Sequence, residues 1–356
     1  MRQFLLLLLF IATFAHAGEI PPYQPRFDRA RPVIAVIGNS TSTEITDFML
    51  PYGVLKRAGA ADILAVATEP GWIKMNTGLR IKPDLDLATF DRLYPQGADY
   101  VIVPAMAHDD APPMLSWLAA QGAKGATVVS ICDGALVVAN SGLLKGHRGT
   151  AHWATHELRV EKYPATTWLS NVRYVADGKV VSSAGISAAM PTSLALVEAI
   201  AGHDRAAAVA SDVGVQDWST QHDSGVYAPK FGRNLNIWLT HFTDSWFHRA
   251  KPVGLPVANG VDEIALAYTS DAYARSRRNK VLFVAANTAP VTSRFGLAIE
   301  PDHIAGTAGA PDDMLEAPDN VAAGKVLDKV LARIADNYGP RTAKRIAMEF
   351  EYPGFR

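Results

Sequence analysis

Apolar residues in this chain recur in two rhythms that take turns. PVIAVIG (32–38), DILAVAT (62–68), ADYVIVPA (98–105) and TVVSI (127–131) are short, nearly continuous apolar runs rich in β-branched residues. Such runs predict strands buried on both faces, as in a parallel sheet. Between them lie segments with helical spacing. TEITDFMLPYGVLKRAG (43–59) shows helical spacing of Ile45, Phe48, Met49, Val54 and Leu55 and stops at Gly59. Pro51 inside it predicts a kink or a shifted boundary, because proline lacks the amide donor. MLSWLAAQG (114–122), ALVVANSGLL (135–144) and ISAAMPTSLALVEAIAG (186–202) read as further helices. GLRIKPD (78–84) reads as a short edge strand, and VRYVADGKVVSSAG (172–185) as a hairpin turning at Asp177-Gly178. Strand alternating with helix predicts a mostly parallel sheet wound on both faces.

After about Arg205 the pattern loosens. LNIWLTHFTDSWFH (235–248) predicts one amphipathic helix, whose apolar face packs between units or meets a membrane or partner. An echo follows: ILAVATEPGWIKMNTGLRIKPD (63–84) aligns without gaps to VLFVAANTAPVTSRFGLAIEPD (281–302), and RPV (31–33) resembles KPV (251–253). Residues 251–356 therefore read as a degenerate α/β repeat of the first half, without its cysteine, closed by helices around 324–339 and 341–350. The organisation expected is 1–17 signal peptide, 18–203 main α/β domain, 204–250 connecting segment and 251–356 repeat.

The amino terminus carries Arg2, an apolar stretch from Phe4 to Phe14, then Ala15-His16-Ala17. That order predicts a secretory signal cleaved near Ala17 and a periplasmic or secreted protein, with no stable membrane insertion afterwards. The formal net charge is −1 and no basic run is present, so nucleic acid is not an expected partner. A homodimer stays open. No GxGxxG or phosphate loop follows any strand, and no cofactor is expected. His152 and His156 are spaced to share one helix face, but the HExxH order is absent, so no metal is assigned. Ser, His and Asp occur together in QDWSTQHDS (216–224), which by adjacency alone makes no triad.

Cys132 is the only cysteine in the chain. It stands in SICDG, between a strand-like and a helix-like run, as a nucleophile would in the strand–turn–helix elbow of G-x-S-x-G. Ser130 replaces the first glycine of that motif. The following helix start is expected to offer N–H groups and to lower the thiol pKa.

ICDGALVVANSGLLKGHRGTAHW (131–153) resembles the ThiJ/PfpI family of class I glutamine amidotransferase-like proteins, and especially the branch whose cytoplasmic members carry a DNA-binding domain. VPA (103–105), TDFMLPYGVL (46–55) and VVSSAGISAAMPTSLALVEAI (180–200) extend the resemblance over roughly 31–203. It implies a flavodoxin-like doubly wound fold and thiol chemistry on a small molecule, of the hydrolase, hydratase or glyoxalase type. It implies three catalytic residues: Cys132 as nucleophile, Asp47, four before Pro51, as its acidic partner, and His152 as acid or base. It places an oxyanion hole at the backbone of Asp133 and of Ala105 or Met106. The chain departs from the family at Asp133, where many members have His or Thr, and at Pro104-Ala105-Met106, where Pro-Gly-Gly is common. A non-catalytic ligand-binding or redox-sensing protein is the alternative expectation.

Overall fold

The computed structural model describes residues 19–246, 248–316 and 321–354. The expected signal segment, 1–17, lies outside them. Strand β1 (Val33–Gly38) leads to α1 (Ile45–Ala58) and β2 (Asp62–Ala67). The short strands β3 (Ile73–Lys74), β4 (Arg80–Lys82) and β5 (Leu85–Asp86) precede α2 (Leu87–Leu93), β6 (Tyr100–Val103) and α3 (Pro112–Ala123). Then come β7 (Thr127–Ser130), α4 (Gly134–Asn140), β8 (Arg148–Gly149), α5 (His156–Lys162) and β9 (Thr167–Trp168). The hairpin of β10 (Tyr174–Asp177) and β11 (Val180–Ser183) is followed by α6 (Ala189–Ala201).

The main sheet has seven strands in the order β10-β11-β7-β6-β1-β2-β5. Every pairing is parallel except that between β10 and β11. Its two faces are built by alternation along each strand. In β1, Ile34 and Val36 enter the layer of α1 and α6, while Val33, Ala35 and Ile37 enter the layer of α2, α3 and α4. Chain order reverses at β1, which lies between β2 and β6. The loops after β1 and β6 therefore meet at the carboxyl edge, where such sheets open a crevice. Thr43 and Met106 bridge there.

Four local expectations change. Helix α1 runs through Pro51 as one element, ended by Gly59 in the left-handed conformation. Residues 78–84 are not an edge: β4 is flanked by β3 on one side and by a strand more than two hundred positions away on the other. The connecting segment begins with α7 (His203–Val213), whose Ala206, Val209, Ala210 and Val213 are buried in the core layer. The single helix expected over 235–248 is two short ones, α8 (Leu235–Trp238) and α9 (Thr240–Trp246). The Thr240 hydroxyl donates to the Ile237 carbonyl at 2.6 Å, a local bond that competes with the helical ladder.

Beyond them, β12 (Lys251–Pro256), α10 (Glu263–Arg275), β13 (Asn279–Ala285), β14 (Val291–Thr292), β15 (Ala298–Glu300) and β16 (His303–Ile304) follow in the order of β1, α1, β2, β3, β4 and β5. The pairings correspond as well. Val66 pairs with Leu85 as Val284 does with His303, and Ile73 with Ile81 as Val291 does with Ile299. The strands β14-β15-β4-β3 form one sheet, in which Ile81 pairs with Ile299, its own counterpart in the sequence echo. Upstream, the β12–β13 register sets Pro252 opposite Lys280 where Val33 faces Asp62, one position away from the match of RPV with KPV. Helices α11 (Val326–Tyr338) and α12 (Pro340–Glu349) close the chain, and α10, α11 and α12 share the core layer of α1 and α6. Among the described residues, no helix is long and apolar enough to cross a membrane.

Candidate active site

The elbow is made by two steric facts. Ile131 N–H donates to the Val103 carbonyl at 3.0 Å, which carries the chain one residue past the end of β7. Cys132 then takes φ 54°, a conformation that costs most residues energy and that clusters at functional turns. Gly134 opens α4 directly against β6: a Cβ there would stand 2.0 Å from the Val103 oxygen. The Cys132 N–H is held by the Ser183 hydroxyl oxygen at 3.2 Å.

The thiol so placed is buried, with 5% of the residue exposed. Its pKa is pushed well above the ordinary value, first by burial, then by the charges of Asp47, Asp133 and Glu44; the Asp133 N–H acts the other way. This corrects the expectation that the elbow acidifies the thiol. One backbone donor does not outweigh loss of solvent and three nearby acids.

Asp47 lies in the first turn of α1 and is fully buried. Its Oδ2 accepts the Ala105 N–H at 3.1 Å, while its Oδ1 has no partner. Burial, then the charge of Glu44, holds its pKa well above the carboxylate range. Burial and Glu44 thus favour the protonated form, and Oδ1 is free to carry the proton. A neutral Asp47 also removes the largest charge that opposes a thiolate. Glu44, the N-cap of α1, takes the opposite state. Burial resists its ionisation, but Arg275 and donors from Asp271, Thr46 and the Asp47 N–H lower its pKa.

The other expected residues are placed differently. Ala105 spends its N–H on Asp47, so it offers none to an oxyanion while that bond holds. Met106 is buried in the loop bridge to Thr43. The Asp133 N–H is directed at the sulfur, and the Asp133 carboxylate accepts from Thr155 at 2.6 Å, with Arg159 Nη1 at 4.0 Å. His152 does not serve the thiol: Nδ1 accepts the Ala154 N–H at 3.2 Å, so Nε2 carries the hydrogen and donates to the Glu349 carbonyl at 2.9 Å. Neither ring nitrogen remains for proton transfer at sulfur or for a metal.

Sequence reasoning missed Glu44, Arg159, Ser183 and Glu351. Glu351 is wholly buried at φ 51° beyond α12. Its Oε1 accepts the N–H groups of Gly185 (3.0 Å) and Trp153 (3.2 Å); its Oε2 meets the Ser224 hydroxyl (2.9 Å) and His222 Nε2 (2.5 Å). Ser224 and His222 of QDWSTQHDS thus serve this one carboxylate. Burial alone would raise its pKa, but the hydrogen bonds of His222 and Ser224 bring it below the usual value. A depressed carboxylate adds stability that is present above the unfolded value, about 4.3, and lost as pH falls through the folded one. Glu351→Gln is expected to cost about 3 kcal/mol at pH 7. Urea denaturation should show that gap closing as pH falls below about 4.3 and through the lowered folded value; a gap independent of pH would exclude an ionised Glu351.

Comparison with known proteins places this geometry. The model of the DJ-1/PfpI family matches residues 33–199. An isonitrile hydratase of Pseudomonas putida is 31% identical over 166 residues, which cover 45% of this chain and 68% of that protein. A deglycase of Pyrococcus horikoshii is 28% identical over 149 residues, 40% of this chain and 86% of the relative. The crystal structure of Drosophila melanogaster DJ-1beta superposes with a TM-score of 0.48 at 22% identity, over 52% of this chain and all of that one.

Proposed function

This chain belongs to the DJ-1/PfpI family, and from that premise we propose that it is a cysteine-dependent enzyme of the hydratase type acting on a small molecule with an electrophilic carbon. One observation carries the reading. Cys132, at positive φ on the elbow, shares its buried setting with Asp47, a neutral acid with one oxygen unpartnered. A neutral thiol and a neutral acid suit addition coupled to proton transfer.

Taken with an isonitrile, the substrate named for the relative at 31% identity, the chemistry balances. Sulfur bonds to the terminal carbon. Asp47 gives its proton to that same carbon and takes the thiol proton, leaving a thioimidate. Water then adds to that carbon, one of its protons passing to nitrogen; as the C–S bond breaks the other returns to sulfur, and an N-substituted formamide leaves. The same pair could add to an aldehyde carbon, with the proton passing to oxygen.

The redox-sensing alternative needs a reachable, acidic thiol. Burial and a raised pKa count against it. The proposal includes export, which the Arg2 and Phe4–Phe14 pattern supports.

The test compares wild type with Asp47→Asn. The substitution is neutral and near in shape, but it relays no proton. The pH profile of Cys132 alkylation below the titration of Asp47 should stay in place. Turnover of small isonitriles or aldehydes should fall about 10²-fold or more. Turnover at the wild-type rate would sink the reading.

A further inference from the structure

Arg275 ends α10, in the part of the chain that follows the main sheet, yet its guanidinium reaches back to the first turn of α1. Nη2 stands 3.1 Å from Glu44 Oε1, Nε 2.8 Å from Asp271 Oδ2 and Nη1 3.6 Å from Glu349 Oε2. Asn76 spans the same junction, at 3.4 Å from both Glu44 and Asp271. The other Glu44 oxygen accepts the Asp47 N–H at 2.7 Å and the Thr46 hydroxyl at 2.6 Å. Glu44 is thus wedged between a cation from one half of the chain and the proton-bearing turn of the other.

We propose that Arg275 is a positioning residue for the Cys132–Asp47 pair, acting through Glu44 across the junction between the two halves of the chain. The proposal rests on the reading of Asp47 as proton donor. The physical link is charge. A buried carboxylate stays ionised only beside a cation or strong donors. With Arg275 in place Glu44 is an anion, and an anion one turn away makes ionisation of Asp47 costly. Without Arg275 the buried cluster takes up a proton, Glu44 becomes neutral, and Asp47 loses the neighbour that keeps its own proton in place. The acids facing the cluster are Asp133 from the elbow, Asp271 from α10 and Glu349 from α12. The other cation at the junction, Arg345 of α12, is taken up by Glu349, Asp244 and the Arg275 carbonyl, so Arg275 is the guanidinium that meets Glu44. The segment after Lys251, which has no cysteine, thereby contributes to the chemistry of the cysteine in the first half.

The test reads the proton directly. The infrared C=O stretch of a protonated carboxyl is assigned to Asp47 by its loss in Asp47→Asn, and its intensity is followed against pH. In Arg275→Met the midpoint should fall by at least about one pH unit. Arg275→Lys should restore part of the shift, which a merely structural role would not produce. Glu44→Gln leaves Arg275 with its two other carboxylates and should give the same downward shift, so the proposal stays testable if Arg275→Met does not fold. A midpoint unmoved in both variants, or no Asp47 band in wild type, would overturn the proposal. Turnover in Asp47→Asn reports separately whether Asp47 is the proton donor at all.

Discussion

Gly134→Ala should destabilise the protein by at least about 3 kcal/mol, at the upper end of the usual cost of overpacking. What Gly134 supplies is space rather than a special dihedral. A methyl group there would lie 2.0 Å from the Val103 oxygen and 2.9 Å from the Pro104 carbonyl carbon. Both are backbone, and β6 cannot retreat. It is paired to β1 on one side and β7 on the other, and the Val103 oxygen holds the Ile131 N–H. Relief must come from moving α4, which takes Cys132 with it. Urea denaturation would give the loss, and any folded fraction should alkylate Cys132 with an altered pH profile. A cost below about 1 kcal/mol would mean that the close approach of α4 to β6 is wrong.

Cys132→Ser is expected to lower turnover by at least about 10³-fold while leaving stability within about 1 kcal/mol. Serine keeps the shape and can occupy the same elbow. Its hydroxyl, however, is far less acidic than a thiol and needs a base beside it. Among the described residues at the site none is free for that: both nitrogens of His152 are engaged with Ala154 and Glu349, and burial beside Glu44 favours the protonated form of Asp47. Turnover within tenfold of wild type would remove Cys132 from the chemistry. Equal stability in the two proteins, by chemical denaturation, is the control that separates lost chemistry from lost fold.

The elbow was legible because its segment is contiguous: an apolar β-branched run, Cys132-Asp133-Gly134 and a helical run. Its distant supports, the Val103 carbonyl and Ser183, were not. The sequence echo was legible for the same kind of reason: aligned residues 63–84 and 281–302 fall on elements of the same order and pairing. Asp47 came only through resemblance, since on its own it reads as an ordinary acid on a helix. The partners of His152 were not legible, because spacing shows which residues share a segment but not what occupies their ring nitrogens. Arg159, Arg275 and Glu351 gave no signal at all. Charged side chains are mostly solvated; Glu351 and Arg275 meet partners far away in the chain, while Arg159 is buried among His152, Thr155 and Trp168.

By itself, then, the sequence determined the alternation of strands and helices, the sharp turn under Cys132 and the recurrence of the first half's elements. Each rests on dihedral preference, glycine placement or apolar period within a short stretch. Tertiary structure alone decided the order β10-β11-β7-β6-β1-β2-β5, the central position of β4 and the state of the protons at the site. The neutral Asp47, the ionised Glu44 and the raised thiol are sums over burial and charges that arrive from α1, the elbow and α10 together. A pKa is set by distances in space, and those exist only once the chain has folded.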